Sequence, residues 1–223
     1  MISISTDLNN IDLNNIVKHG TTTVGIVCKD GLVLAADRRA TAGYLIADKR
    51  AEKILKLTDK MALTLAGSVS DAQLLIKIIK AEITLKRLRT DREPNVKETA
   101  NMLSGMIYAN IRKFSLIPGI SHFILGGADK TGFHMYDLFA DGSLTDCPDY
   151  ISSGSGSVMA YGVLDTLYTK EMTVKEGTQL AIKAVSAAMQ RDIATGDGLD
   201  VITITSEGIK KAFSKEVGNT VRQ

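Results

Sequence analysis

Gly20-Thr21-Thr22-Thr23-Val24-Gly25-Ile26-Val27 is the stretch on which the reading of this chain turns. Extended to Cys28, it predicts a strand over Thr22–Cys28, with Lys29-Asp30-Gly31 as a tight turn and Leu32–Ala36 as the returning partner. A threonine at its head is, in the ordinary case, only a strand-start residue. It becomes a catalyst if the bond after Gly20 is cut. One residue then carries both a hydroxyl nucleophile and a free α-amine to act as its base.

Working outward, Ile54–Leu57 and Met61–Leu65 form a second predicted hairpin around Thr58-Asp59-Lys60, and Ala66-Gly67-Ser68 breaks its second strand. A long helix is expected over 71–89. It is apolar on two stripes, Leu74, Ile78, Ala81, Leu85 and Leu88 on one and Leu75, Ile76, Ile79 and Ile83 on the other, so that either the helix is sandwiched between layers or part of it meets another subunit. A second helix starts after Pro94 and reaches Phe114. Strands follow at His122–Ala128 and Gly132–Phe139, helices at Ser157–Thr169 and Val174–Asp192, and strands at Asp200–Thr205 and Ile209–Phe213. Strands come in runs rather than alternating singly with helices. The pattern therefore predicts an α+β fold with two antiparallel sheets, each covered by a helix pair, in four layers.

Before Gly20 the composition changes. Asp7-Leu8-Asn9-Asn10-Ile11 repeats as Asp12-Leu13-Asn14-Asn15-Ile16, an Asn-rich leader with little to dock it. It has neither the basic start nor the apolar core of a signal peptide. The whole chain of 223 residues is 44% apolar and 23% charged, with a net charge of +2 and no Trp. That balance argues against nucleic acid or a membrane surface as the main partner. No run approaches a transmembrane span, so a soluble, cytoplasmic protein is expected. Two cysteines without CxxC spacing, Cys28 and Cys147, fit a reducing compartment and make neither a disulfide framework nor a zinc site.

The chemistry narrows by what is missing. A Ser-His-Asp hydrolase needs a histidine base, and only His19, His122 and His134 exist. His122 and His134 read as strand residues. Ser152-Ser153-Gly154-Ser155-Gly156-Ser157 is neither a nucleophile elbow nor a P-loop, and Gly196-Asp197-Gly198 lacks the further carboxylates of a metal loop. An N-terminal threonine needs less: a small residue ahead of it (Gly20), a cation near the hydroxyl, an acid to hold that cation, and a backbone N–H for the oxyanion. Lys53, Asp37 and Gly67, each at a strand end, are candidates, although singly each is more often a surface charge or a turn glycine.

Gly20-Thr21-Thr22-Thr23-Val24-Gly25, Ala36-Asp37-Arg38-Arg39-Ala40-Thr41, Lys53, and Ala66-Gly67-Ser68-Val69-Ser70-Asp71-Ala72-Gln73 together resemble the catalytic β subunits of archaeal proteasomes. Ser153-Gly154-Ser155-Gly156-Ser157, Tyr161-Gly162-Val163-Leu164 and Gln190-Arg191-Asp192 match in the same order. The resemblance spans Thr21 to the last strand. It implies the N-terminal-nucleophile hydrolase fold for residues 21–223 and a propeptide, residues 1–20, removed by autocleavage between Gly20 and Thr21.

It further implies a threonine endopeptidase acting on unfolded polypeptides, in seven-membered β rings stacked between rings of α subunits and fed by a regulatory ATPase. No cofactor or metal is expected. Thr21 would be nucleophile and, through its freed amine, base. Lys53 would tune it, Asp37 would hold Lys53, and Gly67 N–H would receive the oxyanion. Ser155 and Asp192 would hold Thr21 and its amine in place, with Thr195 assisting, although the archaeal pattern often has serine where Thr195 stands. The family's substrate pocket maps to Ala40, Ala51, Leu55, Leu65 and Val69, which implies cleavage after large apolar residues. Two other readings are a noncatalytic ring subunit and a small-molecule amidohydrolase of the N-terminal-nucleophile type.

Overall fold

Strand β2 (Gly31–Asp37) is buried at every residue, because both of its faces are covered. Leu32 and Leu34 point to a facing sheet, while Val33 and Ala35 point to helices. The computed structural model describes residues 20–115 and 118–217. The propeptide prediction therefore lies outside the described residues, apart from Gly20.

In the first sheet β1 (Thr23–Cys28) pairs antiparallel with β2, and β2 with β11 (Gly198–Thr205), which pairs with β12 (Gly208–Glu216). The other edge is β10 (Tyr150–Ser153), antiparallel to β1. The second sheet runs β5 (Ile54–Lys56), β6 (Met61–Gly67), β7 (Ser121–Asp129), β8 (Gly132–Leu138), β9 (Leu144–Asp146), all antiparallel. A small hairpin, β3 (Ala40–Ala42) with β4 (Leu45–Asp48), projects from the end of β2.

Helices α1 (Val69–Thr90) and α2 (Val96–Ile111) cover the second sheet, and α3 (Ser157–Leu167) and α4 (Val174–Arg191) cover the first. Three apolar layers result. Leu63 and Phe123 pack with Ile79 of α1 and Leu103 of α2; Val24 and Ile26 pack with Ala184 and Val185 of α4; Leu34, Ala62, Ile124 and Ile202 fill the space between the sheets. The expected four-layer α+β sandwich is thus what the chain forms. α2 and α4 both start with reciprocal capping boxes, Asn95 with Glu98 and Thr173 with Glu176.

Several boundaries differ from those expected. α1 starts at Val69, directly after the Gly67 break, and α2 ends at Ile111, leaving Phe114 exposed. Burial on α1 follows Ala72, Leu75, Ile76, Ile79 and Ile83, while Leu74, Ile78, Leu85 and Leu88 are exposed on this chain. Strands β3, β4, β9 and β10 were not expected from the sequence. The first three are short and largely exposed, and the serines of β10 hid its pairing with β1. Among the described residues no helix is long and apolar enough to cross a membrane.

Candidate active site

Thr21 sits just ahead of β1 and is 3% exposed. Its hydroxyl donates to the Gly20 carbonyl oxygen at 2.6 Å, and Lys53 Nζ lies 3.5 Å from that same oxygen. Lys53, at the mouth of β5 in the second sheet, donates to Asp37 Oδ1 at 2.7 Å. Asp37 closes β2 in the first sheet. It also accepts the backbone N–H groups of Thr22 (2.9 Å), Arg39 (3.0 Å) and Gly196 (3.0 Å).

Both charged groups are buried, Asp37 to 1% and Lys53 to 4% exposure. Burial pushes the Asp37 carboxyl up and the Lys53 ammonium down from their ordinary values, and the contact between them opposes both shifts. Three backbone donors compensate the buried carboxylate, so Asp37 is a fixed acceptor on which Lys53 is held. The lysine end points at the bond between Gly20 and Thr21.

The nitrogen side of Thr21 is held by a chain of hydroxyls. Thr21 N–H donates to Ser155 Oγ at 3.2 Å, and Ser155 Oγ donates to Asp192 Oδ2 at 2.5 Å. Thr195 Oγ1 donates to the same carboxylate oxygen at 2.6 Å and meets Thr22 Oγ1 at 2.7 Å. Asp192 can serve both because it caps α4: the backbone turns extended there, its own N–H returning to Ala188 O. Thr195 therefore reaches Thr22 and Asp192 rather than Thr21 itself.

Gly67 ends β6 with φ +100°, a conformation that favours glycine, and a Cβ there would lie 2.4 Å from Ile120 O. Gly20 is needed for a different reason. A Cβ on it would come within 1.7 Å of Ala194 Cβ, so the loop after α4 leaves no space for a side chain. Gly20 N–H donates to Thr41 Oγ1 at 2.9 Å.

A cavity of about 460 Å³ opens beside Thr21. Ala40, Ala51, Leu55, Leu65 and Val69 all line it, together with Gly20, Lys53 and Gly67. Charged Asp48, Arg50 and Glu52 line it as well. Sequence reasoning missed several supports of the site. Gly196 N–H binds Asp37, and Arg39 pins the same loop through Asp197 Oδ2 and Ile193 O, each at 2.6 Å. Thr41 was quoted only as part of a motif. No periodicity or spacing signals such long-range contacts. Of the two described histidines, both lie in strands as expected, His122 in β7 and His134 in β8.

A sequence model described as proteasome subunit matches residues 17–204. This chain belongs to the proteasome subunit family. Proteins called proteasome subunit beta are its relatives: one from Ferroglobus placidus is 46% identical over 198 residues, covering 89% of this chain and 92% of the relative. One from Archaeoglobus profundus is 44% identical over 206 residues, covering 92% and 94%. One from Methanococcus aeolicus is 45% identical over 199 residues, covering 89% and 90%. The match starts ahead of Thr21 and takes in every site residue above, so the constellation lies within the region that matches the proteasome subunit family.

Proposed function

We propose that this proteasome β subunit is a threonine endopeptidase that cuts its own leader at Gly20–Thr21 and then hydrolyses unfolded polypeptides. The observation that carries this is the Thr21 hydroxyl held at 2.6 Å on the carbonyl of the preceding residue, with Lys53 and Asp37 behind it. While Thr21 nitrogen is an amide it is a donor, to Ser155, and cannot act as a base. Lys53, whose hold on its proton is weakened by burial, is the group next to the bond that can relay the hydroxyl proton.

In self-cleavage Thr21 Oγ attacks the Gly20 carbonyl carbon. The C–N bond breaks, the nitrogen gains a proton and becomes the α-amine, and water hydrolyses the resulting ester, releasing residues 1–20. The amine, of ordinary pKa near ~8, then takes the Oγ proton in each later turnover, and a neighbouring lysine cation lowers that value. Gly67 N–H donates to the oxyanion, while Ser155 holds the amine, with Asp192 behind Ser155 and Thr195 behind Asp192. The apolar cavity at Ala40, Ala51, Leu55, Leu65 and Val69 supports cleavage after large apolar residues. Assembly into seven-membered β rings between α-subunit rings, supplied by a regulatory ATPase in the cytoplasm, completes the proposal.

Intact mass spectrometry of the chain coassembled with α subunits tests it. The expected mass begins at Thr21, and a fluorogenic panel should favour large apolar residues. Thr21→Ala should keep its leader, lose peptidase activity and retain the wild-type circular dichroism spectrum. A wild-type chain that stays full length after assembly, or a panel preferring acidic or basic residues, would refute the corresponding part.

A further inference from the structure

Helices α1, α2 and α4 each start on a capping residue with a carboxylate three positions on: Ser68 with Asp71, Asn95 with Glu98, Thr173 with Glu176. In α2 and α4 the two residues satisfy each other. α1 has the layout without the bonds. Ser68 makes no side-chain cap bond; its hydroxyl donates instead to Asp71 Oδ2 at 2.6 Å. Its backbone N–H, which a capping box would give to Asp71, goes to Ile120 O at 2.7 Å. Both groups that would ordinarily cap the helix are used elsewhere.

Those bonds close a ring beside Gly67. Asn110, in the last turn of α2 and 8% exposed, donates through Nδ2 to Asp71 Oδ1 at 3.0 Å and to Gly119 O at 3.2 Å. A Cβ on Gly119 would lie 2.3 Å from Asn110 Nδ2 and 2.6 Å from Asp71 Oδ1, so this loop is pressed onto the pair. The next residue, Ile120, supplies the carbonyl that Ser68 N–H binds, the same oxygen that leaves no room for a side chain on Gly67. Burial pushes the Asp71 carboxyl up, but the bonds from Ser68, Asn110 and Ser70 outweigh it and hold the group below its ordinary value. The carboxylate is therefore the charged hub of the ring. Neither Asp71 nor Asn110 lines the cavity beside Thr21.

We propose that Asp71 and Asn110 are positioning residues for peptide hydrolysis: through Ser68 and the 118–120 loop they fix the peptide of Gly67 so that its N–H is aimed where the oxyanion forms. The proposal rests on the threonine-peptidase reading and deepens it. Glycine is the most conformationally free of residues, and a donor that must reorganise during the reaction stabilises the oxyanion poorly. The ring supplies the rigidity that Gly67 lacks, and α1 gives up its own cap to build it.

Kinetics and inhibitor binding on the processed particle assembled with α subunits test this, with rates expressed per chain that intact mass spectrometry shows to begin at Thr21. A peptide aldehyde ending in a large apolar residue reports the donor directly. Thr21 Oγ adds to its carbonyl carbon, the Oγ proton passes to the amine, and the former carbonyl oxygen becomes the oxyanion at Gly67. The matching peptide alcohol fills the same pocket but cannot add. Asn110→Ala should lower kcat by about tenfold to a hundredfold, less than outright loss of a donor, and weaken the aldehyde by the same factor. KM and alcohol binding should change by less than about twofold. Asp71→Asn keeps an oxygen for Asn110 and an amide for Ser68 Oγ, so it should restore most of the rate that Asp71→Ala loses. Ile107→Val, buried one turn back on α2, should lower the urea midpoint and leave kcat and both inhibitors unchanged. If Asn110→Ala does not assemble, Asn110→Ser gives the same comparison. Wild-type kcat in the Asn110 variant, or aldehyde and alcohol weakened alike, overturns the positioning role alone. A wild-type particle that cuts no peptide overturns the peptidase reading and the positioning role with it.

Discussion

Substituting Gly20 by Ala separates self-cleavage from turnover. The added methyl would lie 1.7 Å from Ala194 Cβ and 2.7 Å from Ala194 Cα. Ordinary carbon contacts need about 3.5 Å, so something must move by roughly 1.8 Å. The loop cannot easily give way: Ala194 N–H is held by Asp192 Oδ1 at 3.1 Å, and the adjoining Gly196 N–H by Asp37. The shift therefore falls on Gly20, taking its carbonyl away from Thr21 Oγ and Lys53. A misplacement of ~1 Å at a reacting centre lowers rate by about 10²-fold, so leader removal should slow at least that much. A chain started directly at Thr21 contains no Gly20 and should turn over peptides at the wild-type rate. Timed intact-mass measurements after mixing with α subunits give the first quantity, and peptide hydrolysis by the two particles gives the second. Wild-type processing kinetics in Gly20→Ala would refute the tight placement of the scissile carbonyl.

Lys53→Ala leaves the Asp37 carboxylate buried without its cation, which should lower stability by about 3–5 kcal/mol and abolish leader removal; urea unfolding and mass spectrometry read the two effects. A stable, fully processed variant would contradict both. Thr195→Ser keeps the hydroxyl between Asp192 and Thr22 and should process at nearly the wild-type rate, while Thr195→Val should slow processing by about tenfold through two lost hydrogen bonds. Burial pushes the Cys28 thiol up to about 12 and Cys147 up to about 11. A raised thiol pKa means less thiolate, so at pH 8 iodoacetamide should label the native chain on the order of 10²-fold or more slower than the urea-unfolded chain. Equal labelling rates by mass spectrometry would refute that.

How much of this was legible in the sequence depended on locality. The β1–β2 hairpin was, because the turn Lys29-Asp30-Gly31 and the apolar runs beside it are contiguous. β10 was not: Tyr150–Ser153 owes its strand conformation to β1, more than a hundred positions earlier, and it runs into the serine-rich stretch that starts at Ser152. The two stripes of α1 were visible, but only packing distinguishes Ile79, buried against the second sheet, from Leu88, which is exposed. The placement of the site residues came from family resemblance, since Asp37 and Lys53 look individually like surface charges. Their burial together depends on Thr22, Arg39 and Gly196, whose N–H groups converge only once three segments have met.

The site draws on both sheets. Thr21 and Asp37 belong to the first, Lys53 and Gly67 to the second, and the aligning apolar layer is the one between the sheets. A chain with one sheet formed and the other still loose has a hydroxyl and a carboxylate but no cation across from them. In the proposed self-cleavage, cutting the leader would then report that the two halves have closed on one another. A cut bond at Gly20 would therefore mark only molecules that have closed, and the closed chain with that bond intact is the state poised to cut.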